Sequence, residues 1–132
     1  MKLYKTTDRF LNNYNYLKNN LKREPTLEEI SEIDQLHYNG TKAVNEAILK
    51  TKINQSSIVL DIGSGIGGPA RYIANKTHAK IYAIEIQSKL NQIAKKLTLN
   101  YKLNKKINHI RGDILNYNFK DLKFNNIVSW LA

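Results

Sequence analysis

The chain has 132 residues, no cysteine and a formal net charge of +10, from 21 lysine and arginine residues against 11 aspartate and glutamate residues. This length allows one domain with a real hydrophobic core, and the lack of cysteine excludes disulfides, thiolate chemistry and cysteine-based metal sites. No apolar run approaches the ~20 residues of a membrane-spanning helix and no signal peptide is recognisable, so a soluble, cytoplasmic protein with no membrane partner is expected.

Residues 1–52 are predicted to form a helical N-terminal cap. Thr26-Leu27-Glu28-Glu29 matches a capping box, which predicts a helix start with Ile30 and the apolar residues after it on the buried side. After Asn39-Gly40, Thr41 is expected to cap a further helix. An earlier helix is predicted from an apolar stripe at helical spacing, made of Phe10, Leu11, Tyr14, Leu17 and Leu21.

From Ile58 the pattern changes to strands that alternate with helices. Strands are predicted to end at Ile62, Glu85 and Arg111, and a fourth is predicted over 125–131. Between them, helices are predicted over 69–76 and 88–103. Such alternation predicts a parallel sheet with right-handed crossovers, an α/β fold over residues 53–132.

A glycine-rich turn follows the first predicted strand, in the run VLDIGSGIGGP over 59–69. Glycines let the backbone turn sharply and approach a ligand closely, and the helix beyond them offers unpaired N–H groups. Gly63, Gly65 and Gly68 satisfy the dinucleotide pattern G-x-G-x-x-G, with Glu85 at about the right distance to bind a ribose. However, Asp61 would place negative charge near a pyrophosphate. The same acid suits S-adenosylmethionine, which carries an ammonium group and a sulfonium but no phosphate.

Two further strand ends carry acids. Glu85 ends the second strand, where its carboxylate can accept two hydrogen bonds from ribose hydroxyls. Asp113 follows the third strand in a Gly-Asp pair. Three ordinary turns containing Gly and Asp would explain each end singly, but not their ordered occurrence.

With Asp61, Gly63, Gly65 and Gly67 in the form D-x-G-x-G-x-G, the chain resembles class I S-adenosylmethionine-dependent methyltransferases. The runs DQLHYNGT at 34–41, LDIGSGIGGPARYIA at 60–74, IEIQ at 84–87 and VSWL at 128–131 are similar to small-molecule methyltransferases of the sarcosine/dimethylglycine and ubiquinone/menaquinone types. The resemblance covers roughly residues 30–132. It implies a Rossmann-like fold with strand order 3-2-1-4.

By this resemblance the glycines contact the methionine portion of the cofactor and Glu85 contacts the ribose. Ile86 and Gln87 border the adenosine, and Asp113 and Ile114 hold the adenine. Arg71, one turn into the helix, either meets the cofactor carboxylate or is a surface arginine. The cofactor-binding residues expected are therefore Asp61, Gly63, Gly65, Gly67, Glu85, Ile86, Gln87, Asp113, Ile114 and Ser129, the last as a pocket-lining residue.

No catalytic signature is obligatory, because methyl transfer from a sulfonium relies largely on positioning and water exclusion. His37 and Tyr38 are the polar candidates, with His37 as a base for an amine or hydroxyl acceptor. The alternative for His37 is a helix-end histidine bonded to backbone. Trp130 either packs a cationic centre or is a buried strand residue. No metal is expected, since the three histidines show no metal-ligand spacing.

The family continues beyond a fourth strand, so residues 53–132 are expected to be the N-terminal half of a cofactor-binding domain, apparently truncated. The expected function is methylation of a small molecule by in-line displacement. One alternative is an incomplete cofactor-binding remnant, or a split-enzyme subunit that needs a second chain. A third alternative is an RNA methyltransferase. The positive charge gives it little support, because the lysines are scattered along the chain and arginine is scarce.

Overall fold

The computed structural model describes the backbone of residues 2–130 and the side chains of residues 7–130. Three helices come first, and five further elements then alternate before a final strand. In chain order the elements are α1 Lys2–Leu21, α2 Leu27–Ser31, α3 Gly40–Thr51, β1 Ile58–Ile62, α4 Gly68–Thr77, β2 Lys80–Glu85, α5 Ser88–Asn100, β3 Ile107–Arg111 and β4 Asn126–Ser129.

The four strands form one parallel sheet in the order β3-β2-β1-β4, which confirms the predicted strand order and the Rossmann-like class. Asp61 of β1 lies level with Ala83 on one neighbouring strand and Val128 on the other. All four carboxyl ends therefore meet at one edge of the sheet. In open α/β sheets this is the edge where ligands bind.

Two groups of buried apolar residues hold the helices in place. One joins α3 and α4 to the strands, with Val44, Ile73 and Ile81 among its fully buried members. The other joins α1 and α2 to α5, and it includes Ile66 from the glycine turn. The N-terminal cap is thus packed directly on the turn that the sequence singles out.

Most of the helices and strands begin close to the residues predicted from the sequence, but several bounds differ from the prediction. The Thr26 capping box is present with both of its hydrogen bonds. Thr41 is not a cap: α3 begins at Gly40, behind Asn39 in the left-handed conformation. The helix predicted to reach residue 103 ends at Asn100, because Lys102 turns to a φ of 57°. The strand predicted over 125–131 spans Asn126–Ser129, and residue 131 lies outside the described part of the chain.

Candidate functional site

The glycine turn lies across the carboxyl end of β2. The N–H groups of Gly63 and Ser64 both donate to the Ile84 carbonyl, at 2.9 and 3.1 Å. Gly63 and Gly65 have φ values of +69° and +55°, and a Cβ built on either would have no atom within 4 Å. These two glycines therefore present bare backbone to open space, as a ligand cradle requires.

The next two glycines face the protein interior. A Cβ on Gly67 would lie 2.8 Å from Cε1 of His109 and 2.9 Å from Nη1 of Arg71. A Cβ on Gly68 would lie 2.1 Å from the carbonyl oxygen of Asp34. These positions allow α4 and the N-terminal cap to approach each other closely. The predicted contact between Gly67 and a cofactor stays a prediction beside this packing role.

Asp61 is the most unusual residue of the site. Its side chain is fully buried, and neither carboxyl oxygen has a hydrogen-bond partner among the described residues. Burial, with the nearby charge of Glu85, raises its pKa to about 8. A buried carboxylate is costly unless it is paired, so a cationic group at this point would be strongly favoured. The ammonium group of S-adenosylmethionine fits that requirement, and the open glycine backbone begins two residues away.

Glu85 is held rigidly at the end of β2. Its Oε2 accepts the N–H of Gly65 at 2.9 Å, and its Oε1 accepts the N–H of Gln87 at 2.8 Å. Each carboxylate oxygen keeps a further lone pair, so the group can still accept hydrogen bonds from vicinal hydroxyls. Ile86 is 61% exposed and Gln87 is half-buried beside it. The glycine turn and the predicted ribose acid are thus one connected unit.

Asp113 organises the turn after β3. Its Oδ1 accepts the N–H of Leu115 at 3.0 Å, and its Oδ2 accepts from the side-chain amide of Asn116 at 3.2 Å. The neighbouring Gly112 N–H donates to the Glu85 carbonyl at 3.0 Å, which ties this turn to the end of β2. Asp113 and Ile114 are both half-buried. The strand ends that the sequence predicted to cooperate are therefore linked by hydrogen bonds.

Ser129 lies at the end of β4, where its Oγ donates to the Ile62 carbonyl at 3.0 Å. The next residue, Trp130, stacks on the ring of His37 with 5.0 Å between centroids. His37 and the exposed Tyr38 also line a cavity of about 570 Å³. The remaining lining residues, from α1 and from the segment that starts at α2, are Arg9, Phe10, Asn13, Glu32, Ile33, Gln35 and Leu36.

Arg71 is not the surface arginine that was one of its two expected roles, and its contact with the cofactor carboxylate stays a prediction. It is fully buried, and its guanidinium forms an ion pair with Asp34 at 3.1 Å, also buried. Nη1 donates to the Ile66 carbonyl at 2.8 Å and lies 3.4 Å from Oγ1 of Thr98. Burial lowers the pKa of Arg71 and raises that of Asp34, and the attraction between the two opposes both shifts. A surface position is therefore wrong. Nη1 and Nη2 have partners within the protein, whereas Nε has none among the described residues.

His109 completes the same buried network. Its Nε2 lies 2.8 Å from Oγ1 of Thr98, and burial together with the charge of Arg71 lowers its pKa to about 3. His109, Thr98 and Asp34 had no predicted role. The signal for His109 in β3 and Thr98 in α5 was a polar residue at an inward position of a strand or helix, whereas Asp34 lies in neither kind of element.

Within residues 2–130, no group of three or more acidic, histidine or cysteine side chains could hold a metal ion. In the same range no helix is long and apolar enough to cross a membrane.

Comparison with known proteins identifies a methyltransferase domain over residues 59–132, more than half of the chain. The sterol 24-C-methyltransferase of Debaryomyces hansenii is 33% identical over 75 residues, which are 57% of this chain and 20% of that protein. The phosphoethanolamine N-methyltransferase of Plasmodium falciparum is 34% identical over 90 residues, 68% of this chain and 33% of that protein. The Probable ribosomal RNA small subunit methyltransferase A of Methanococcus maripaludis is 33% identical over 86 residues, 65% of this chain and 31% of that protein. The chain thus spans between a fifth and a third of these relatives.

Solved structures agree on the fold. The S-adenosylmethionine-dependent methyltransferase of Thiobacillus denitrificans, in complex with S-adenosylhomocysteine, superposes with a TM-score of 0.64 at 18% identity. The match covers 75% of this chain and 40% of that one. Together with the domain match and the strand order, these findings show that the chain belongs to the class I S-adenosylmethionine-dependent methyltransferases.

Proposed function

We propose that this chain binds S-adenosylmethionine at the carboxyl edge of its sheet and takes part in methylating a small molecule. The observation that carries the proposal is Asp61, a fully buried carboxyl with no hydrogen-bond partner among the described residues. It lies directly before two glycines whose outer side is open. A ligand with an ammonium group beside an uncharged linker matches this pairing of charge and bare backbone.

Each predicted binding residue has a distinct task in this proposal. Asp61 pairs with the ammonium group, and the backbone at Gly63 and Gly65 accommodates the methionine chain. Glu85, already fixed by two backbone N–H groups, accepts the ribose hydroxyls. The remaining proposed contacts are Ile86 and Gln87 beside the adenosine, Asp113 and Ile114 at the adenine, Gly67 at the methionine portion and Ser129 at the pocket wall.

When bound, S-adenosylmethionine would supply an activated methyl carbon: a lone pair of the acceptor would bond to that carbon as the carbon–sulfur bond breaks, and the electron pair would leave with sulfur as S-adenosylhomocysteine. The chain's own contribution is to hold the two reactants in line and exclude water. We place the acceptor toward the cavity lined by His37 and Tyr38, because His37 contacts Trp130 directly after β4. The sterol and phosphoethanolamine methyltransferases among the relatives act on small molecules, which supports an acceptor of that size.

Calorimetric titration of the purified chain with S-adenosylhomocysteine tests cofactor binding, with NADH as the negative control. Micromolar binding of the former alone is expected. Gly65→Val should abolish it, because the valine side chain would fill the open side of the turn. Gly40→Val is the matched control, since Gly40 also has a positive φ, +49°, and no atom within 4 Å of its Cβ position. Equal affinity in the wild type and Gly65→Val would contradict the proposed site.

An RNA acceptor is the second candidate function, favoured by the ribosomal RNA methyltransferase relative. It predicts RNA binding whose affinity falls steeply as salt rises, because phosphate contacts release counterions. Filter binding between 50 and 200 mM salt separates the two candidates. An RNA-binding protein with many phosphate contacts should lose affinity roughly a thousandfold over this range. Weak binding at every salt concentration would leave the small-molecule acceptor.

A further inference from the structure

The buried guanidinium of Arg71 serves two parts of the molecule at once. Through Nη1 it holds the Ile66 carbonyl of the glycine turn at 2.8 Å, and through Nη2 it holds Oδ2 of Asp34 at 3.1 Å. Ile66 belongs to the turn, whereas Asp34 belongs to the segment between α2 and α3. A single planar group thus fixes the glycine turn relative to the N-terminal cap.

The contact chain continues from Asp34 toward the cavity. The side-chain amide of Gln35 donates to Oδ1 of Asp34 at 2.9 Å. Because a carboxylate only accepts, this bond fixes which end of the amide is nitrogen. The amide oxygen therefore faces Nε2 of His37, at 3.1 Å. The orientation of Gln35, and with it the partner of His37, is set by the ion pair.

Both ring nitrogens of His37 face oxygen acceptors. Nε2 faces the Gln35 amide oxygen, and Nδ1 lies 2.9 Å from the Tyr38 carbonyl oxygen. These two contacts hold the His37 ring in one plane. The His37 ring stacks on the Trp130 ring, with 5.0 Å between centroids and a 29° angle between planes.

We propose that Arg71 is a positioning residue that, through Asp34 and Gln35, seats His37 on Trp130 as a wall of the acceptor cavity. The role of that wall in methyl transfer rests on the proposed function, but the contact chain does not. The same guanidinium orders the glycine turn, so cofactor binding and the seating of His37 share one anchor. Loss of the Arg71 contacts should weaken both cofactor binding and the stacking of His37 on Trp130. Loss of the contacts between Asp34 and His37 should weaken only the stacking.

Trp130 is the only tryptophan of the chain, so its fluorescence reports on the His37 contact. An imidazole in contact with an indole quenches its emission, and His37→Gln supplies the unquenched reference. Gln35→Leu removes the hydrogen bonds that connect the Arg71–Asp34 ion pair to His37. Its emission should rise to the level of His37→Gln, while its affinity for S-adenosylhomocysteine stays that of the wild type. Gln92→Leu, which loses an exposed bond to Ser88, is the matched control and should leave both readings unchanged.

Arg71→Lys keeps the positive charge but loses the planar guanidinium, which donates to both the Ile66 carbonyl and Asp34. Its emission should rise like that of Gln35→Leu, and its affinity for S-adenosylhomocysteine should fall roughly tenfold, as expected for a lost charge-assisted hydrogen bond. Arg23→Lys, at an exposed arginine that also pairs with a carboxylate, is the control for this substitution. If Arg71→Lys does not fold, Asp34→Asn replaces it in the fluorescence test with the same expected rise.

Wild-type emission in folded Arg71→Lys or Asp34→Asn would overturn the proposal. So would wild-type emission in Gln35→Leu if His37→Gln is brighter, or a His37→Gln variant no brighter than the wild type. Failure of the wild type to bind S-adenosylhomocysteine would instead refute the proposed function, and the fluorescence comparison would still decide on the contact chain.

Discussion

Asp61→Asn tests how the ionisation of a buried carboxyl group affects the free energy of unfolding, because asparagine keeps the shape of the side chain but cannot ionise. In the folded chain the pKa of Asp61 is about 8, against an ordinary value of 3.8, because the group is buried and lies near Glu85. Below pH 4 the folded and unfolded states both carry the proton, so the group costs nothing. Between pH 4 and pH 8 the unfolded chain releases the proton while the folded chain keeps it. The free energy of unfolding of the wild type should therefore fall as the pH rises through this window.

The size of the effect follows from linkage. Each pH unit in the window removes up to about 1.4 kcal/mol, so between pH 5 and pH 8 the contribution of Asp61 falls by on the order of 3 kcal/mol. Asparagine does not ionise, and its side chain has nearly the same shape. The stability difference between Asp61→Asn and the wild type should therefore move in favour of the variant by that amount over the same interval.

Urea unfolding of both proteins at pH 5, 6, 7 and 8 measures the difference and cancels the titration of every other group. A difference that stays constant with pH would refute the reasoning that Asp61 is protonated in the folded chain. A second measurement uses the ligand. Binding of an ammonium group favours the ionised carboxylate, so S-adenosylhomocysteine binding near pH 7 should release close to one proton in the wild type and none from this site in the variant. Calorimetry in buffers of different ionisation enthalpy counts that proton.

Four further substitutions test the site and the fold. Glu85→Ala should weaken S-adenosylhomocysteine binding by about 1.5–3 kcal/mol in calorimetry, through the loss of charge-assisted bonds, and an unchanged Kd would contradict the ribose contact. Gly67→Ala should lower the unfolding free energy by about 2–5 kcal/mol, since strain at positive φ adds to a clash with His109. Gly63→Ala, with similar strain and no clash, should cost only about 1–2 kcal/mol by urea unfolding, and equal losses would contradict the packing argument. Thr26→Ala should cost about 0.5–2 kcal/mol in the same assay, through loss of the α2 capping box, and no loss would contradict the role of that cap.

Much of the fold could be predicted because its signals are local. Alternating strands and helices, the glycine turn and the Thr26 capping box each depend on residues within a few positions of one another. Element ends were harder to place. Asn39, directly before Gly40, adopts a positive φ that asparagine tolerates, whereas Lys102 adopts one although lysine has no such preference.

The order of the candidate site residues along the chain could be predicted, but the different surroundings of each glycine could not. The D-x-G-x-G-x-G pattern treats Gly63, Gly65 and Gly67 alike, yet a Cβ has open space at the first two and clashes with His109 at the third. The difference comes from what lies opposite each glycine, which includes a strand that begins 40 residues later. Sequence spacing does not record such neighbours.

The sequence by itself determined the kind of protein: a parallel sheet, a ligand edge at its carboxyl ends and a glycine turn between Asp61 and the first sheet-covering helix. These follow from backbone preferences and from the side-chain periods of strands and helices. Only the tertiary structure decided which polar groups meet. Arg71 lies 37 residues after Asp34, and their ion pair exists because the N-terminal cap folds back onto the glycine turn. A buried charge needs its partner in space, and the chain can supply that partner from any distance along the sequence.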